Sequence, residues 1–354
     1  MIHKIHLVKI HLKEVLILSL NELWYLLIAV LFIGFFVLEG FDFGVGTVAR
    51  FLGKNDTEKR VYVNTIGPYW DANEVWLITA GGAMFAAFPH WYATMFSGFY
   101  IPLVFMLLAL ILRGVSFEFR GQLEQAKWRN LWDWGIFIGS ALPPVLWGVV
   151  LANFMIGMPI DANMEMQTGF LFFLNPFALL GGVMFLALTT THGLQFLTLR
   201  TTGELQERAR NVGKKLAPVT LILLLAFAIW GMIKTDIFVY HGTGWIVLPL
   251  LAWGALFLST ILNVKKLDGR AFALTSLTIV LLVASVFIGM FPRVLISSIA
   301  DANSLTIYNA ASGAYTLKLM TYFSLTLLPF VLGYTAWSYY IFRKRITKDD
   351  ELEY

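Results

Sequence analysis

Four carboxylates stand where carboxylates are costly. Glu39 and Asp42 lie three residues apart in LEGFDFGVG, and Asp71 and Glu74 lie three apart in YWDANEVW. Residues at i and i+3 share one face of a helix. Both stretches interrupt runs that are otherwise apolar, and an acid at membrane depth costs roughly 2.5 to 3.5 kcal/mol on insertion scales. Acids kept there usually face a bundle interior, a cavity or a proton path. Close carboxylates in low dielectric cannot all stay ionised, so such a set can accept and release a proton near neutral pH. Asn64, Thr65, Tyr69 and Asn73 add polar groups toward one mouth, and His192 falls at a similar depth of a later apolar run. The competing reading pairs these acids with Arg113, or uses them to cap backbone at the neighbouring glycines, which makes them packing elements.

The elements that must position these groups follow from composition. Of 354 residues, 58% are hydrophobic and only 14% charged, which lies outside the range of soluble domains and marks an all-α integral membrane protein. The 12 Trp and 13 Tyr suit a chain with two membrane interfaces. Absence of Cys excludes disulfides, thiolate-held iron–sulfur clusters and Cys-ligated zinc. No phosphate loop, nucleophile elbow or HExxH zinc site is present.

Taking about 20 apolar residues per span, the sequence reads as about nine transmembrane helices: 22–49, 63–88, 93–118, 132–156, 170–199, 216–234, 244–263, 271–291 and 314–342. Most of the 26 Lys and Arg fall in the connections after the odd-numbered spans and in the tail. Under the positive-inside rule this puts the N-terminus outside and the C-terminus in the cytoplasm. The net charge of +4 is thereby a topology signal, and nucleic acid is not an expected partner. Residues 1–20 form an N-terminal extension, 21–345 one transmembrane domain, and 346–354 a solvated cytoplasmic tail. Pro143-Pro144 is expected to break the fourth span.

At a rise of ~1.5 Å per residue, Asp42 and Glu39 lie about 10 and 15 Å inside the end of the first span, and Asp71 and Glu74 about 12 and 16 Å inside the second. The two pairs should therefore meet at matched depth. Gly40 and Gly44 have the small-xxx-small spacing, with Gly46 beyond, that lets helix backbones approach. The pairs Gly81-Gly82 and Gly181-Gly182 extend that pattern and read as packing within the chain. Trp70, Tyr69 and Trp76 are packing or interfacial aromatics that could also line a quinone tail. Of six histidines, only His192 is intramembrane, so at most one His-ligated haem could be held there. A proton or hydrogen-bond role is the favoured reading of His192, with Met ligation left open by the 12 Met residues.

Three stretches carry a resemblance: LWYLLIAVLFIGFFVLEGFDFGVG, NTIGPYWDANEVWLITAGGAMFAAFP and THGLQFLTLRTTGELQERA. They resemble subunit II of cytochrome bd-type quinol oxidases, and the likeness runs from about Asn21 to Arg345. It implies nine helices in two four-helix bundles plus a peripheral helix, in a bacterial or archaeal plasma membrane. It implies a heterodimer with a homologous subunit I that carries two b-type haems, haem d and the quinol site, while this chain ligates no metal. The complex would oxidise quinol, reduce O2 to water and draw protons from the cytoplasm. The resemblance singles out Asp42 and Trp70-Asp71 for a proton path and matches His192 to a His-Gly pair. Glu39, Glu74, Arg113 and Asn73 rest on the residues alone. A structural quinone and a small third subunit are compatible with it. The family pattern starts near Ser19 or Leu20, so an upstream start codon unused in the cell would explain the extension. Two other readings stay open: a purely structural partner subunit, and a proton-coupled secondary transporter with acids near the midplane.

Overall fold

The computed structural model describes residues 18–350 and residue 352. The expected extension, 1–20, lies outside the described residues up to residue 17. Helix α1 (Leu20–Leu52) opens on a capping box in which Ser19 Oγ accepts the Glu22 N–H and the Glu22 carboxylate accepts the Ser19 N–H, satisfying two otherwise free backbone donors. The chain continues through α2 (Asp56–Asn64), α3 (Trp70–Ala87), α4 (Pro89–Gly98), α5 (Tyr100–Arg120), α6 (Ala126–Ile156), α7 (Pro176–Arg200) and α8 (Gly203–Lys234). A short α9 (Ile237–His241) leads to α10 (Val247–Val264) and α11 (Asp268–Met290). A small antiparallel pair, β1 (Arg293–Leu295) with β2 (Leu305–Thr306), precedes α12 (Ala314–Ile341).

The long helices can be described as two groups of four that pack on each other as extensively as within themselves. Helices α1, α3, α5 and α6 form one; α7, α8, α10 and α11 form the other, and α1 and α6 join the groups by packing on α7. Helix α12 lies outside both, against α1, with its apolar stretch exposed. Among the described residues eight helices are long and apolar enough to cross a membrane. The ninth expected span is α3, whose 18 residues carry Asp71 and Glu74. Helix α1 is the hub: every residue from Glu39 to Gly46 is buried, because neighbours cover it on all sides.

Several boundaries differ from expectation for local reasons. The second span does not begin at 63. Thr65, Ile66 and Tyr69 donate to carbonyls three residues back, and Pro68 has no N–H to extend α2, so α3 starts only at Trp70. The expected span 93–118 is two helices that meet at Phe99. The expected span 170–199 begins with a 3-10 turn, Phe170–Leu174, before α7, and the sixth starts already at Gly203.

The expected break at Pro143-Pro144 does not occur, and α6 runs through both prolines. The turn before them is small and tightly held: a Cβ on Gly139 would collide with Ala109 and Arg113 of α5, and Ser140 fills the space left by Gly46 of α1. Neighbouring helices let a proline-containing helix continue within a bundle by satisfying the backbone groups that the proline frees. The tail is held to the bundle through Ile346 and Lys348. Ile346 N–H donates to the Arg200 carbonyl at 2.8 Å, and Lys348 Nζ donates to Glu58 at 2.9 Å.

Candidate functional site

Helices α1 and α3 run side by side, and α5 closes the groove between them. Its Arg113, fully buried, donates to the Glu39 carboxylate of α1 and, at 2.6 Å, to Glu74 of α3. The Arg113 guanidinium also lies 4.8 Å over the Phe43 ring. One turn along α1, Asp42 accepts from the Asn73 amide at 2.7 Å. The Asn73 oxygen accepts from the Tyr339 hydroxyl of α12 at 2.9 Å. Tyr339 in turn stacks on Tyr69, with ring centroids 4.5 Å apart. The result is a continuous polar line from the peripheral helix to a buried carboxylate.

Charge and hydrogen bonding are not closed within this line. A single guanidinium faces Glu39, Glu74 and Asp42. Glu39 Oε2, Asp42 Oδ1 and Arg113 Nε and Nη1 are buried without a protein partner. Buried polar atoms in native proteins are nearly always satisfied, so four such atoms within one cluster are unusual. Glu74 is the least enclosed member, its side chain 21% exposed against 0% for Glu39 and Arg113.

Asp71 does not join the cluster. It sits in the first turn of α3 and is exposed on this chain. The depth of about 12 Å reckoned from residue 63 is corrected, because the helix starts at Trp70. The free N–H groups of a first turn and the helix dipole favour an acid there. Trp70 beside it packs on Phe117, centroids 5.2 Å apart, over Gly114. Trp76 fills the space opposite Gly34.

His192 is also separate. It lies across α1 from the acids, with Nδ1 2.8 Å from Thr275 Oγ1 and Nε2 3.1 Å from the Val37 carbonyl. Phe272 stacks on its ring at 4.7 Å. Both nitrogens are thus engaged, and this side chain does not fit the role of an axial haem ligand. Among the described residues no group of three His, Asp or Glu side chains could hold a metal ion.

The glycines divide in the same way. Gly44 is pressed against Gly193 and the Thr189 carbonyl of α7, and Gly46 against Ser140 of α6. Gly40 is not a close-approach position, since a Cβ there would meet Thr189 Cγ2 at an ordinary 3.6 Å. Gly181 and Gly182 pack on α6 as expected, whereas Gly81 and Gly82 have open space beside them, contrary to the expected packing within the chain. They lie on an outward face of α3 that also exposes Asp71, Val75, Ile78 and Phe85. Tyr339 and Thr275 were missed from the sequence, where each is one more residue of an apolar helix with no local signal.

Residues 20–342 match the model of the family described as cytochrome bd terminal oxidase subunit II. The chain belongs to that family. It is 51% identical over 336 residues to the cytochrome bd ubiquinol oxidase subunit 2 of Bacillus subtilis, covering 95% of this chain and 99% of the relative. It is 41% identical over 365 residues to the cytochrome bd-I ubiquinol oxidase subunit 2 of Escherichia coli K12, covering 94% and 96%. The bd oxidase structure from Geobacillus thermodenitrificans superposes with a TM-score of 0.73 at 16% identity, over 92% of this chain and all of that one, a likeness of fold. For a subunit II, the buried Arg113 cluster and the outward face of α3 are the features on which a function within a larger complex can be argued.

Proposed function

We propose that this chain is the haem-free subunit of a terminal quinol oxidase, docking on a haem-bearing subunit I and carrying protons toward it from the cytoplasm. The observation that carries the reading is the Arg113 cluster: three carboxylates around one cation, with unpartnered buried atoms, connected through Glu74 to the exposed turn that holds Asp71. Asp71 lies one helical turn from Glu74, about 4.5 Å along the axis, so a proton taken up at Asp71 has a short path to Glu74, Glu39 and Asp42. Arg113 holds the acids close and limits their repulsion. Asn73 and Tyr339 orient Asp42.

The cytoplasmic origin of the protons rests on the charge placement. Ion pairs gather at the end of the bundle where α1, α5, α7 and α10 finish, among them Arg120–Asp56, Arg208–Glu58 and Arg210–Asp268. That end is assigned to the cytoplasm, with the N-terminus outside. The outward face of α3 with its bare Gly81-Gly82 is the surface offered to subunit I, since small residues admit a close helix. Haem b and haem d are assigned to subunit I, in keeping with the engaged ring of His192. A structural quinone along the aromatics of α3 and a small third subunit are compatible additions.

The test is Asp71→Asn in the purified complex. Quinol oxidase turnover should fall roughly tenfold or more, with the reduced-minus-oxidised haem spectrum kept. Wild-type turnover in that variant would refute the proton role. The purely structural reading is favoured by one observation, the pairing of Arg113 with Glu39 and Glu74, and it requires loss of the haem spectrum instead.

A further inference from the structure

At the end of the bundle where the ion pairs gather, a cleft of about 520 Å³ opens between the junction of α1 with α2 and the first turns of α6. Lys54, Lys59, Lys127 and Arg129 stand on its walls with Asp56, Glu124 and Asp133. Two of the three acids are engaged by cations, while Glu124 has no cation partner among the described residues. Asp56 accepts from Arg120 at 2.7 Å and Arg129 at 2.8 Å. Asp133 accepts from Arg120 at 2.7 Å and Lys59 at 2.8 Å. The ammonium groups of Lys54 and Lys127 have no carboxylate partner among the described residues. With Arg120 buried behind the wall, the cleft carries an excess of positive charge. The N-termini of α2 and α6 both open onto it, adding partial positive charge to that of the lysines.

The surface beside the cleft decides what kind of anion this suits. Phe51 (63% exposed), Leu131 (58%), Trp134 (41%) and Ile138 (44%) form an apolar stripe leading away from it along α1 and α6. Arg50 lies 4.1 Å over the Trp134 ring, and Phe51 and Trp134 both pack edge-on to Phe137 at 5.2 and 5.5 Å. An aromatic and a cation at the boundary between a charged pocket and an apolar stripe mark the level of lipid head groups. A soluble anion would need the cleft alone; an amphiphile uses both parts. We infer that this cleft binds the phosphate head group of an anionic phospholipid, held by Lys54 and Lys127, with the acyl chains along Phe51, Trp134 and Ile138.

The experiment is native mass spectrometry of the complex as purified from membranes, titrated with phosphatidylglycerol, phosphatidylcholine or inorganic phosphate. It compares wild type with Lys54→Gln/Lys127→Gln, two exposed and unpaired side chains whose change leaves the fold intact. Basic residues near an anionic surface each add to lipid affinity, so the double variant should bind the tightest phosphatidylglycerol roughly thirtyfold more weakly. Phosphatidylcholine binding should not change. Equal phosphatidylglycerol affinity in the two proteins overturns the site. Inorganic phosphate that binds wild type as tightly as the lipid, and is lost in the variant, overturns the lipid assignment in favour of a soluble anion.

Discussion

The Tyr339 hydroxyl donates to the Asn73 side-chain oxygen at 2.9 Å, so the outermost helix of the chain is bonded to the amide that holds the buried Asp42. Helix α12 is otherwise exposed along its apolar stretch. This contact gives it a position relative to the acids, and it makes the bonding of Asp42 depend on a residue far away in sequence.

Tyr339→Phe removes the hydroxyl and leaves the Asn73 oxygen buried. At about 1 kcal/mol for one hydrogen bond, turnover should fall about fivefold if orientation of Asp42 limits proton transfer. Stopped-flow or oxygen-electrode rates of the complex, with the haem spectrum as control, check this; an unchanged rate removes Tyr339 from the route.

Arg113 should tolerate little. Arg113→Gln leaves the buried Glu39 and the partly exposed Glu74 without their cation, and breaking a buried pair on one side costs about 3 to 5 kcal/mol. The expected outcome is a much reduced yield of intact complex by size-exclusion chromatography. Arg113→Gln combined with Glu39→Gln should recover part of it, because one of the stranded charges is then gone.

The two glycines of the small-xxx-small pair should behave oppositely. Gly44→Ala forces α1 away from Gly193 and the Thr189 carbonyl, an overpacking of about 1 to 3 kcal/mol. Gly40→Ala meets its neighbours at ordinary distance and should be close to neutral. Thermal midpoints of the two purified variants would show the difference, and equal midpoints would remove Gly44 as the point of closest approach.

At the charged end, hydrogen bonding from Arg208, helped by Lys348 and the Lys54 N–H and opposed by burial, holds the Glu58 carboxyl at about 2 instead of its usual 4.5. A carboxyl lowered in the folded state stabilises it above the unfolded value and loses that contribution as pH falls through the folded one. The stability difference between wild type and Glu58→Gln should therefore be full above about pH 4.5 and shrink toward pH 2. Thermal unfolding at pH 6 and pH 3.5 checks the sign. A difference that grows on acidification contradicts it.

The membrane class, the approximate spans and the two acid-bearing stretches were legible in the chain, because hydropathy over about 20 residues and the cost of a buried charge are properties of local sequence. The family was legible too, in the motifs around Asp42 and Asp71 and around His192. Element starts were less so. Pro68 and the turns around Thr65 moved the beginning of α3 to Trp70, which put Asp71 in its first turn.

What only the tertiary structure decided is which side of each helix meets which neighbour. Glu39 and Gly40 are adjacent in sequence, yet one faces Arg113 and the other lies beside His192, because successive residues on a helix point about 100° apart. Arg113 and Tyr339 complete the site from helices distant in the chain; Arg113 stands out in the sequence as a charge within an apolar span, whereas no local pattern distinguishes Tyr339 from other residues of such a span. Their pairing with Glu39 and Asn73 follows from how α5 and α12 pack around α1 and α3, with α5 held against α6 by the close approach at Gly135 and Gly139, and not from periodicity.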